Sequence, residues 1–216
     1  ADCCKPNLWK HEAVQSFISC GLFDFVSCQF ALHYSFETEE RARGLLSNIS
    51  DRLRPGGMFV CTVPNANWIV KKLRSTPGTS FGNEFYQIRI ADESLKENIP
   101  TFGAEYFFTL VNAVTDCPEY LVHPETFIKL AAEFDLKLKI HQPFHEFYKW
   151  QIDRGGNRQL LQRLQADGGE KGISFAEWET IGVYSVFAFE KQGSNTMSNS
   201  QKKPVLSNPP TLKDIA

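Results

Sequence analysis

The stretch FDFVSCQFALHYSF, Phe23 to Phe36, decides how the rest of the chain is read. Its first half is an almost continuous apolar run, Phe23, Phe25, Val26, Cys28 and Phe30, of strand length and rich in aromatic residues, and it predicts a buried strand. Polar groups then crowd the end of that strand: Gln29, His33 and Tyr34. In open α/β sheets ligands bind in the crevice beyond the carboxyl ends of the strands, so an amide, an imidazole and a phenol placed there mark a candidate site. Downstream, LRPGGMFVCTVPN (Leu53 to Asn65) supplies a helix stop, a Pro-Gly-Gly turn and a second buried strand.

Working outward in both directions, Lys10 to Leu22 carries Ala13, Val14, Phe17 and Ile18 and predicts a short helix closed by Gly21. After the organising strand, Ala42, Leu45, Leu46, Ile49 and Leu53 recur at helical spacing. Glu39 and Glu40 open that helix and Arg52 and Arg54 close it, which suits the macrodipole. Met58 to Val63 is a strand stopped by Pro64, and Asn67 to Arg74 is a helix with Trp68, Ile69 and Leu73 on one face. Phe85 to Ile90 alternates as a strand with Tyr106 to Val111 as its partner. This hairpin-like insertion precedes a short strand from Tyr120 to His123. Pro124 then starts a helix with Phe127, Leu130, Ala131 and Phe134 inward. Leu136 to Ile140 returns as a strand, and His145 to Gln165 is a charged helix broken at Gly155-Gly156. Thr180 to Phe189 is a strand expected antiparallel at the sheet edge. From Gln192 the Ser/Asn/Pro/Lys-rich sequence lacks apolar periodicity, so residues 1–191 are expected as one domain and 192–216 as a disordered tail.

With 216 residues, 42% hydrophobic and 13% aromatic, the composition is that of a globular domain. A formal charge of −2 and a pI near 6.2 argue against gripping long nucleic acid by counterion release, which needs a basic face. Any RNA contact is expected to be local. The six cysteines, Cys3, Cys4, Cys20, Cys28, Cys61 and Cys117, show no CxxC pair and no zinc spacing, so no metal site is expected. They read as reduced core thiols of an intracellular protein. No secretory signal and no long apolar run occur, and no membrane span is expected.

SCQFALHYSFETEERARGLLSNISDRLRPGG, the following VPN, FGNEFYQIRI, DCPEYLVH and the late VYSVFAFEK occur in one order. That order resembles the eukaryotic mRNA cap (guanine-N7) methyltransferases, over roughly Ala1 to Lys191. QFxxHYxFE is far more specific than PGG, which many methyltransferases share. The resemblance implies an α/β fold, the C-terminal part of a Rossmann-like class I methyltransferase sheet with a β-hairpin insertion, in which Phe23 and Met58 begin the fourth and fifth strands. It implies that the first strands are missing, because no GxGxG turn occurs anywhere and Ala1 is not an initiator Met.

By the same resemblance the reaction is methyl transfer from S-adenosylmethionine to N7 of the cap guanine of mRNA. Asp2, Gln29 and Tyr34 are implied on the cofactor side, and His33, Glu119 and Tyr184 on the cap side, with Phe30 and Pro64 lining the cap pocket. The chemistry agrees with this set. Guanine N7 is a lone-pair nucleophile with no proton to remove, so no catalytic base is needed. Guanine also presents N1–H and an N2 amine, two donors that one carboxylate, Glu119 in the DxPE context, accepts in parallel. Tyr184 suits a stacking role against a splayed base. The resemblance further implies a nuclear protein, 5'-capped mRNA as partner, and the capping machinery and a small activating subunit as candidates. On the residues alone, Asp2 is a terminal acid, Gln29 a strand end, His33 and Tyr34 core residues and Glu119 a loop acid. A class I methyltransferase acting on a small molecule and a non-catalytic truncated form are the alternatives.

Overall fold

The computed structural model describes residues 2–15 and 21–193. In chain order the elements are α1 (Glu12–Gln15), β1 (Phe23–Gln29), α2 (Glu39–Arg52), β2 (Leu53–Pro64), α3 (Ala66–Ser75), β3 (Ser80–Gly82), β4 (Tyr86–Arg89), β5 (Glu105–Leu110), β6 (Val114–Tyr120), α4 (Pro124–Ala132), β7 (Leu136–Pro143), α5 (Phe144–Gln151), α6 (Asn157–Arg163), α7 (Phe175–Ile181) and β8 (Tyr184–Lys191). They form two sheets, ordered β1-β2-β8-β7 and β3-β4-β5-β6.

Alternation along β2 assigns the faces of the first sheet. Phe59, Cys61 and Val63 are buried together with Phe187 and Phe189 of β8 against Leu46 and Ile49 of α2 and Phe127 and Leu130 of α4. Each large apolar side chain buried this way contributes about 1.5–3 kcal/mol, so this face carries most of the sheet's stability. Thr38 caps α2 by accepting from the Arg41 N–H at 3.2 Å, and Glu39, Glu40 and Arg52 sit at the ends the macrodipole favours. On the other face, Val60, Thr62, Val186 and Ala188 floor a groove of about 700 Å³ walled by residues such as Phe144 and Trp178.

Strands β1 and β2 run parallel, with Val26 opposite Phe59 and Gln29 opposite Thr62. Near the start they fall out of step, since Phe23 pairs with Leu53 and Phe25 with Met58. Arg54-Pro55-Gly56-Gly57 therefore loops out of the ladder, and Gly56 takes φ +76°, which glycine tolerates without a Cβ clash. The second sheet is an antiparallel meander whose Tyr86, Ile88, Tyr106 and Phe108 pack on Ile69, Val70 and Leu73 of α3.

Several sequence expectations change. Strand β1 is an edge, not a buried strand: among the described residues it pairs with β2 alone, and Phe25 is 56% exposed. Strand β8 is antiparallel as expected but lies between β2 and β7. Phe187, Ala188 and Phe189 are buried in succession, the pattern of a strand covered on both faces. The helix α7 takes the Thr180 end of the stretch expected as strand.

The insertion is larger than a hairpin, and Tyr120 to His123 is not a strand of the first sheet. The DxPE segment forms β6 instead, with Glu119 opposite Tyr106 and Cys117 opposite Phe108 on β5. Pro118 makes this stretch read as a loop, yet β6 is the last strand of its sheet, and an edge position tolerates a missing N–H. The break at Gly155-Gly156 stands, between α5 and α6, with φ of +53° and +80°. The helix expected over Lys10 to Leu22 is a 3-10 turn at Leu8–Lys10 and the short α1, and residues 16–20 of it lie outside the described residues, as does the tail from 194.

Candidate functional site

Phe30 follows β1 directly and takes φ +54°, a left-handed conformation uncommon for a bulky residue. Its N–H is held by Thr62 of β2, at 3.2 Å to the carbonyl and 3.1 Å to Oγ1. This kink ends the strand and starts a 3-10 turn over Leu32–Glu37. In that turn Leu32, His33, Ser35 and Phe36 are buried, while Tyr34 is half-buried. The turn packs directly on β6.

There it meets Glu119, 4% exposed. The Tyr106 hydroxyl donates to Glu119 Oε2 at 2.5 Å, and the Tyr34 hydroxyl donates to Oε1 at 3.5 Å. His33 Nε2 stands 3.4 Å from the same Oε1. Neither His33 ring nitrogen makes a hydrogen bond, although the residue is 1% exposed; the contact with Glu119 is close enough but too poorly aligned. A buried polar group without a hydrogen bond costs free energy, and the Glu119 carboxylate 3.4 Å away offsets part of that cost. Burial first, then Cys117 and Glu119, pushes the Tyr34 hydroxyl up. Burial and then Glu119 raise Tyr106 well above the usual phenol range and Tyr184 to about 12. All three phenols therefore keep their protons at neutral pH, and Tyr34 and Tyr106 donate theirs to Glu119.

An aromatic wall adjoins this cluster. Tyr184 is opposite Pro64 in the β2-β8 register, and its ring meets Phe30 edge-on at 4.9 Å, Phe144 at 5.8 Å and Phe108 at 6.4 Å. Phe30 is 50% exposed, so one side of the wall faces solvent.

The structure thus brings His33, Tyr34 and Glu119 together and sets Tyr184, Phe30 and Pro64 beside them. Gln29 lies apart: its Nε2 donates to Ser27 Oγ at 2.9 Å, and its side chain lines the apolar groove with Thr62. Asp2 accepts from the Cys4 N–H at 2.9 Å and from Arg41 Nη1 at 3.2 Å, contacts that hold its carboxyl below the ordinary range. Tyr34 has its hydroxyl contacts with the Glu119 cluster, away from these two. Sequence reading missed Tyr106, Phe144 and the thiol of Cys117. The signal for Tyr106 was its position two before Phe108 in an alternating strand, which acquires meaning only once β6 is known to lie alongside.

A carboxylate has about four acceptor sites, and Tyr106 and Tyr34 occupy two. Glu119 therefore keeps acceptor capacity beyond its two donors within the protein. Residues 1–192 match the family model described as mRNA (guanine-N(7))-methyltransferase domain.

The chain belongs to this family.

It is 42% identical over 200 residues to mRNA cap guanine-N(7) methyltransferase 1 of Oryza sativa subsp. japonica, across 89% of this chain and 53% of that protein. Identity is 44% over 181 residues to the Arabidopsis thaliana protein of the same name, covering 80% and 48%. To the Schizosaccharomyces pombe mRNA cap guanine-N(7) methyltransferase it is 38% over 175 residues, covering 79% and 49%. The chain spans about half the length of the curated relatives it matches. Family membership agrees with the mixed α/β fold read from the sequence, with the antiparallel meander in place of the simpler hairpin.

Proposed function

We propose that this chain carries the guanine-recognition half of an mRNA cap guanine-N7 methyltransferase. The observation that carries the reading is Glu119, a buried carboxylate held by Tyr106 and Tyr34 with acceptor capacity to spare, next to the wall of Phe30 and Tyr184. Guanine's N1–H and N2 amine fit those acceptors, and adenine, with an acceptor at N1, does not. His33 supplies a further polar contact from a ring that has no hydrogen bond of its own.

Guanine N7 needs no base, so no side chain is assigned a proton-transfer step. The protein's contribution is to hold the base in one orientation and keep water from it, and positioning of this kind is worth up to about 7–11 kcal/mol. S-adenosylmethionine supplies an electrophilic methyl group when bound. The residues present fit one end of that cofactor only. Gln29 borders a groove large enough for a nucleoside-sized ligand, but the chain has no GxGxG turn, and Asp2 is engaged with Arg41 and Cys4. The net charge of −2 agrees with a substrate held at its cap and not along its length. Family membership supports 5'-capped mRNA as the substrate; a nuclear location, the capping machinery and a small activating subunit as partners belong to the same proposal.

The test uses the full-length protein, labelled S-adenosylmethionine and RNA with or without a GpppN cap. Label is expected at the cap guanine N7 of capped RNA alone. Labelled uncapped RNA, or no label in the cap, overturns the reading.

A further inference from the structure

Cys117 sits two residues before Glu119 on β6, so the two side chains leave the same face of the strand. Across that face the Tyr34 hydroxyl lies 3.6 Å from the Cys117 thiol and 3.5 Å from Glu119 Oε1, bridging the two. The rung that carries Cys117 pairs with Phe108, whose ring belongs to the Tyr184 wall. Cys117 is partly exposed. The buried His33 ring stands on the same carboxylate, its Nε2 3.4 Å from Glu119 Oε1, and neither of its nitrogens makes a hydrogen bond. The thiol therefore stands, partly exposed, one hydroxyl away from the Glu119 carboxylate.

The other described cysteines are placed differently. Cys4 and Cys61 are buried. Burial pushes Cys4 up to about 12, Cys28 to about 11, and Cys61 well above the thiol range. The thiolate is the nucleophile, so these three are poor ones. Cys3 is exposed and has no contact with the Glu119 cluster in the hydrogen bonds or ion pairs of the structure.

We infer that Cys117 is a covalent modification site on the guanine recess, taking small soft carbon electrophiles of the haloacetamide class, and that its adduct and a guanine base exclude one another. The inference rests on the guanine reading of Glu119. In the reaction with iodoacetamide a sulfur–carbon bond forms and the carbon–iodine bond breaks. Iodide leaves with the bonding pair, and the thiol proton passes to solvent. The carboxamide so attached lies beside Tyr34 and Glu119, and its own N–H groups compete for the acceptors that guanine uses.

The experiment is iodoacetamide labelling of the full-length protein, mapped by peptide mass spectrometry, with and without the cap analogue GpppG. Cys3 and Cys117 are expected to label, and Cys4, Cys28 and Cys61 to lag. GpppG at ten times its Kd should slow Cys117 about tenfold by occupying the recess and leave Cys3 unchanged. Labelled protein should lose GpppG binding, and in Cys117→Ala the binding that remains should be insensitive to the reagent. Labelling of Cys117 no faster than that of Cys61 overturns the inference. Labelled protein that binds GpppG as well as untreated protein also overturns it while leaving the guanine reading standing. Untreated protein that does not bind GpppG overturns both.

Discussion

The Tyr106 hydroxyl donates to Glu119 Oε2 across 2.5 Å, between residues that face each other on neighbouring strands. Both side chains are buried, so the ladder of the second sheet sets the carboxylate's position before any ligand arrives. A preorganised acceptor of this kind spares a ligand the cost of ordering it.

Glu119→Gln keeps the shape but puts an amide donor where a guanine donor must approach. The mismatch leaves a buried group unpaired and is expected to weaken cap-analogue binding by about 1–3 kcal/mol. Calorimetric titration with GpppG reads this directly. Unchanged affinity would remove Glu119 from the recognition set.

Tyr106→Phe deletes only the hydroxyl and leaves Glu119 with one donor fewer inside the protein. Hydrogen bonds to charged groups are worth about 1.5–3 kcal/mol, so both thermal stability and cap affinity should fall. A double-mutant cycle with Glu119→Gln checks the coupling: strongly sub-additive losses are expected, and additive ones would mean that the two residues act separately.

Phe30→Ala tests the wall. The ring is 50% exposed, so its removal should cost the fold little, whereas loss of a stacking surface should weaken cap binding by about 1–3 kcal/mol. A melting temperature that drops while cap affinity holds would assign Phe30 to packing alone.

Alkaline stability follows from the phenols. Tyr184 is raised to about 12, and Tyr34 and Tyr106 are raised as well, against an unfolded value near ~10. Below that value both states are protonated and no stability is lost. Above it the unfolded chain releases protons that the folded chain retains, so stability declines as pH rises from about 10 toward the folded values. Denaturant titrations followed across that range should show the decline, with the 295 nm phenolate band of these residues growing only as the protein unfolds. A flat profile would contradict the burial of the three hydroxyls.

The open edge at β1 makes a prediction for residues 1–216 expressed on their own. Phe25 is 56% exposed on a strand with one described neighbour, and an unpaired apolar edge promotes association. Phe25→Lys is expected to shift sedimentation toward smaller species. Equal behaviour of the two proteins would show that the edge is covered in solution.

The fold elements that followed hydrophobic periodicity were legible in the residue order: α2, β2, α3, α4 and the split at Gly155-Gly156. The family was legible because QFxxHYxFE and DxPE are specific strings. The partition of the site was less so. Tyr34, grouped by resemblance with Gln29 and Asp2, has its hydroxyl contacts with Cys117 and Glu119, because the kink at Phe30 swings the following turn onto β6. Tyr106 went unread because its role exists only through a cross-strand pair.

By itself the sequence determined the elements with clear periodicity, such as α2, β2, α3 and α4, since these depend on side-chain spacing along a few turns or rungs. It also determined membership of the family, since the motifs are contiguous. Tertiary structure alone decided that Pro118 belongs to an edge strand, that β8 sits inside the sheet, and that Tyr106, Tyr34 and His33 converge on one carboxylate. Those outcomes depend on which strands lie side by side, a long-range choice settled by burial and ladder hydrogen bonds between segments far apart in the chain.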